Sequence, residues 1–251
     1  MSAPSTLATD ILTILKKEWK ELLLVGSGLR GGRAGLLIFI GVFGVFLPLQ
    51  SGRGWLDSPT NLFVWGWVPF LLVSGVVADS FAGERERRTL ETLLASRLSD
   101  RAILVGKLLA ALSYGWGITL VSLLAALITI NIAYGRGELL FFPWKIGLAI
   151  FTISLLVAAL AAGLCVLVSL RAATVRQAQQ TFSLAFFVLF IPLFLIPMLP
   201  QEWRLRLAQA LAQADVESIV LGVIGLLFLL DLALFALASA RFQRTRLILD
   251  E

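Results

Sequence analysis

The residues best able to do chemistry are gathered in one charged stretch, FAGERERRTLETLLASRLSDRAILVGK, from Phe81 to Lys107, set among long apolar runs. Read as a helix, it places Glu84 beside Arg87 and Arg88 and Arg87 beside Glu91, at three- and four-residue spacings. Phe81, Leu90, Leu93 and Leu94 then form an apolar side. Two readings fit this pattern: an amphipathic helix along a membrane surface, offered to a partner, or a solvated loop with ordinary salt bridges. Covalent chemistry is poorly supplied. Histidine is absent and Cys165 is the single cysteine, which removes the commonest general base, the commonest metal ligand and any intrachain disulfide. A phosphate-binding loop G-x-x-x-x-G-K-[ST] is also missing, since Gly106-Lys107 lacks the preceding strand and glycine. Energy must therefore come from another chain, from an ion gradient, or not at all. Asp231, deep in an apolar run, and Asp79, near the end of another, form a candidate intramembrane polar site. For Asp231 a substrate or proton contact competes with a carboxyl hydrogen-bonded to a nearby Ser, Thr or Arg, and the second is favoured because one acid makes a poor proton relay.

The elements that position these residues follow from composition. Of 251 residues, 59% are hydrophobic and 15% charged, which excludes an ordinary soluble core and indicates an all-α polytopic membrane protein. The net charge of +5 is scattered between apolar runs, so no nucleic-acid surface is expected. Six spans are expected, near 34–49, 61–79, 103–132, 145–170, 182–198 and 216–240, each close to the ~20 residues that cross a bilayer. Residues 8–25 read as an amphipathic interfacial helix, with Ile11, Ile14, Trp19 and Leu22 on one side and Lys16, Lys17, Lys20 and Glu21 interleaved. They lack the pattern of a signal peptide. Ser99 and Asp100 read as an N-cap and first-turn acid restarting a helix through Lys107. Pro192, Pro197 and Pro200 break the fifth span, so 192–215 is expected to form a re-entrant or interfacial hairpin, with a plain helix as the simpler alternative. The whole of 1–251 reads as one transmembrane domain.

Charge sets the orientation. With both termini, the 81–107 stretch and the 171–180 loop in the cytoplasm, that side holds all 21 Lys and Arg residues except Arg53, Arg136, Lys145, Arg204 and Arg206. Both termini are expected in the cytoplasm of a prokaryotic plasma membrane.

The run Glu84-Arg85-Glu86-Arg87-Arg88-Thr89-Leu90-Glu91-Thr92-Leu93-Leu94, followed by Ile103-Leu104-Val105-Gly106-Lys107, resembles the signature of type-2 ABC exporter permeases. The opening Lys16-Lys17-Glu18-Trp19-Lys20-Glu21-Leu22 is similar to that family's interfacial connecting helix. Arg88, where many relatives carry Gly, and Arg97, where Pro is common, depart from the pattern and would tune the choice of ATPase. The resemblance implies a dimer, with a second copy or a paralogue, bound to two cytoplasmic ATPase subunits that carry the ATP and Mg. This chain itself would hold no cofactor and act as no enzyme. Residues 81–97 would be the coupling helix, with Phe81, Glu84, Arg87, Arg88, Thr89, Leu90, Glu91, Leu93 and Leu94 as the ATPase-coupling set. Export of a lipophilic or amphipathic molecule is the expected function. A membrane anchor that moves an external partner without transport is the alternative, with 203–214 as its docking surface.

Overall fold

Apolar runs too long for a soluble core become helices, because only a helix satisfies every backbone polar group within one membrane-crossing segment. The computed structural model describes residues 7–25, 32–58, 60–89, 97–170, 172, 174–195, 198–213 and 215–241. It is all-helical, with no strand among the described residues. In chain order the helices are α1 Leu7–Val25, α2 Gly32–Gly41, α3 Leu47–Ser51, α4 Gly54–Asp57, α5 Thr60–Ala78, α6 Glu84–Glu86, α7 Asp100–Tyr134, α8 Trp144–Ser169, α9 Val175–Leu195, α10 Gln201–Gln213 and α11 Val216–Arg241. Single π-helical segments, Val42–Phe46 and Asp79–Gly83, join α2 to α3 and α5 to α6 without breaking either rod.

Among the described residues, five stretches are long and apolar enough to cross a membrane: Ala34–Ser51, Val64–Glu86, Asp100–Tyr134, Trp144–Ser169 and Val216–Arg241. They match five of the six expected spans. The remaining one, near 182–198, falls on α9 and the residues just after it, of which 196 and 197 lie outside the described set. At 35 residues α7 is about 52 Å long, far more than ~30 Å of hydrocarbon requires, so part of it projects beyond the bilayer. Its start is the expected one. Ser99 has extended backbone and its Oγ accepts from the Ala102 N–H at 3.2 Å, with Asp100 in the first turn.

The core lies between α5, α7 and α8, where Val73, Val77, Ala111, Ala158, Ala161 and Val166 are buried together. Gly115 of α7 makes this packing tight, because a Cβ there would lie 2.4 Å from Val73 Cγ2 of α5. Cys165 packs here as a buried free thiol against the Ser74 carbonyl, 3.4 Å away. Helix α11 packs on α8, and at their shared N-terminal end Lys145 pairs with Glu217. Helix α10 lies within the 192–215 connection and exposes Trp203 and Leu205.

One expectation is corrected. The charged stretch is not an unbroken amphipathic helix from Phe81 to Leu94: α5 continues through Asp79–Gly83 into α6, and the helix ends at Glu86. Arg88 stops it by adopting φ +56°, the left-handed conformation that an L side chain disfavours. Two backbone bonds close the end, from the Thr89 N–H to the Glu84 carbonyl (2.9 Å) and from the Arg88 N–H to the Arg85 carbonyl (3.0 Å). This is the glycine-type helix terminus, here carrying arginine. Arg88→Gly is expected to raise stability by roughly 0.5–1 kcal/mol, the left-handed penalty less the entropy glycine loses on folding. Thermal unfolding in detergent measures it, and a destabilised variant would show that the Arg88 side chain supplies a compensating contact.

Candidate functional site

Asp79 to Thr89 forms an elbow in which Glu84 turns inward. Glu84, expected to face a partner protein, is only 8% exposed, while Lys107 of α7 is 1% and Glu18 of α1 is 5% exposed. The Lys107 ammonium lies 2.9 Å from Glu18 Oε1 and 3.0 Å from Glu84 Oε1, and donates to the Ser80 carbonyl at 2.8 Å. It also sits 5.3 Å from the centre of the Phe81 ring. The Ser80 hydroxyl donates to Glu18 Oε2 at 2.9 Å. Lys17, nearer the surface, adds a second cation to Glu84 Oε1 at 3.0 Å. Two carboxylates and two ammoniums thus join three helices that lie far apart in sequence.

The next residues are also spent within the chain. Arg85 donates to the carbonyls of Leu170 (3.0 Å) and Ala172 (2.8 Å), satisfying acceptors left open where α8 ends. A Glu86 oxygen accepts from the Val175 N–H at 3.1 Å, placing an acid at the start of α9. Arg87 pairs with Asp79 at 2.9 Å, so Asp79 is a neutralised elbow residue and not a free intramembrane acid. The expected pairing of Glu84 with Arg87 and Arg88 gives way to these contacts because buried ammonium and carboxylate gain more from one another than exposed neighbours do. Arg88 and Thr89 are exposed. Leu90, Glu91, Leu93 and Leu94 lie outside the described residues.

Gly106 and Lys107 act as a pair. A Cβ at Gly106 would lie 2.8 Å from both Cβ and Cγ2 of Ile14 and 3.3 Å from the Ile11 carbonyl oxygen, so only glycine lets α1 approach this closely. The neighbouring Lys107 then reaches Glu18. Trp19 adds a hydrogen bond from its indole N–H to Ser113 Oγ at 2.9 Å and an edge contact with Tyr114. The apolar face of α1 is therefore covered by α7. Glu18 is the functional residue that sequence reasoning missed, although a signal existed: it interrupts the stripe Ile11, Ile14, Leu22, as Lys107 interrupts Ile103, Ala110, Tyr114.

Burial alone would raise the Glu18 carboxyl, but the Lys107 charge and hydrogen bond, then Lys17 and Ser80, outweigh it and hold the group below its ordinary 4.5. Lys17 shows the mirror case. Burial lowers it, and the charge and hydrogen bond of Glu84, with Glu18 and Glu21, bring it above 10.5. A depressed carboxyl contributes stability that is complete above its unfolded-state value and disappears as pH falls through the folded one. Unfolding measured as a function of pH should therefore show a loss of stability below about pH 4.5 that is shallower in Glu18→Gln. Equal slopes in the two proteins would remove Glu18 as a source of that dependence.

Both oxygens of Asp231 are shielded from solvent and have no hydrogen-bond partner among the described residues. The favoured expectation of a hydrogen-bonded carboxyl is not met.

The site is thus a charged elbow at the end of one helix of a polytopic helical bundle. Residues 69–219, more than half of the chain, match the family model described as ABC-2 family transporter protein, and the chain belongs to that family. It is also similar to the ABC transporter permease protein NatB of Bacillus subtilis (strain 168), with 29% identity over 143 residues. That match covers 51% of this chain and 36% of the relative.

Proposed function

We propose that this chain is the membrane permease subunit of an ATP-driven exporter, with two cytoplasmic ATPase subunits carrying ATP and Mg and a second permease copy or paralogue completing the complex. Six spans, both termini in the cytoplasm and a prokaryotic plasma membrane complete the reading. The observation that carries it is the continuity of α5 with the elbow, together with the Lys107 link from that elbow to α1 and α7. A push on the exposed tip at Arg88 and Thr89 would move α5, α7 and α1 together, as alternating access requires. In this arrangement Glu84 transmits force inside the subunit, and partner contact falls to Arg88 onward. The lipophilic or amphipathic cargo is suggested by apolar spans with few charges.

The test is copurification with the ATPase followed by hydrolysis assays in lipid. The isolated chain should be inactive, and Glu18→Gln should retain the ATPase while losing transport per ATP hydrolysed. Unchanged transport per ATP in that variant would detach the buckle from coupling. Cysteines at Ser58, Gly137 and Gln209 should label from outside intact cells, and outside labelling of one at Ser96 would overturn the orientation.

A further inference from the structure

A cavity of about 250 Å³ lies between α7, α8 and α11, walled by Val105, Leu112, Ala159, Ala162, Gly163 and Phe235 among other apolar side chains. Asp231 is the one ionisable residue lining it, and both of its oxygens lack a hydrogen-bond partner among the described residues. An ionised carboxylate in such surroundings is costly without a counter-charge. Leu109, Leu232 and Phe235 are exposed at the rim, so the cavity is flanked by side chains that face the bilayer. A guest can enter sideways from the lipid.

The lining restricts what that guest is. Hard metal cations take about six oxygen ligands, and among the described residues no other side chain of the lining carries an oxygen. A quaternary ammonium has no N–H to donate. A primary ammonium on an alkyl chain meets both demands, giving a charge-assisted hydrogen bond to the acid and an apolar body to the leucine walls. We infer that the cavity between α7, α8 and α11 is a binding site for primary alkylammonium amphiphiles, held at Asp231 and admitted from the bilayer. The inference concerns binding and rests on the membrane-embedded fold, not on export or on its direction.

The experiment uses the full chain in phosphatidylcholine nanodiscs and a decylamine carrying a terminal diazirine, beside the matching decanol. After irradiation, labelled peptides are mapped by mass spectrometry. The amine should label segments 105–112, 159–163 and 231–238 about tenfold more than the alcohol, as one charge-assisted hydrogen bond predicts. Unlabelled decylamine should compete. Asp231→Asn should reduce the amine's labelling to the alcohol's level, and Ala159→Leu, which narrows the cavity and leaves the carboxylate in place, should also reduce it. If Asp231→Asn fails to purify as a monodisperse protein, Ala159→Leu and the amine-to-alcohol ratio carry the test. Equal labelling by amine and alcohol, or full labelling of either folded variant, would overturn the site and leave Asp231 a carboxyl without a ligand in an apolar gap.

Discussion

Lys107→Met is expected to destabilise the protein by about 3–5 kcal/mol, the cost of removing one partner from a buried ion pair. The ammonium is fully shielded and serves Glu18, Glu84 and the Ser80 carbonyl at once. Methionine fills similar volume, so the loss comes from charge and hydrogen bonding and not from a cavity. Two carboxylates would then face each other, with only the half-exposed Lys17 to offset them. Glu18→Gln in the same chain should restore part of the loss, because it removes one of the stranded charges. The measurement is a double-mutant cycle read by thermal unfolding in lipid nanodiscs. A single-variant loss below about 1 kcal/mol would place the network with ordinary surface salt bridges. Replacing Glu84 should disturb the fold as well, since its carboxylate belongs to this buried network.

Gly106→Leu should be nearly as damaging, for a steric reason. A Cβ already meets Ile14 at 2.8 Å on two atoms, and the rest of a leucine side chain has nowhere to go while α1 stays in place. Overpacking alone costs typically about 1–3 kcal/mol. Moving α1 outward also lengthens the Glu18–Lys107 contact, so the two costs share a cause. A cysteine at Leu22, which is buried in the native protein, should react with a maleimide faster in Gly106→Leu than in its absence, against the low background of buried Cys165. Unchanged reactivity and unchanged stability would mean that α1 is held by other contacts.

The one-dimensional pattern of this chain was enough to place the five membrane-length helices found among the described residues. Apolar runs of membrane-crossing length, the Ser99 cap, the amphipathic 8–25 segment and the distribution of basic residues are local or compositional, and local physics reads them. The Gly106-Lys107 pair and the ERERR run were visible as marks without a reason. Their reason lies in contacts between residues remote in sequence: Glu18 meets Lys107 across 89 positions, and Lys17 meets Glu84 across 67. No spacing rule covers such distances. Tertiary packing alone decided that Glu84 faces inward, that Asp79 is neutralised by Arg87, that Asp231 has no hydrogen-bond partner among the described residues, and that Arg88 takes the backbone conformation of a glycine. Helical periodicity states which residues share a face, but the helix that covers that face decides whether a charge on it meets water, lipid or an opposite charge.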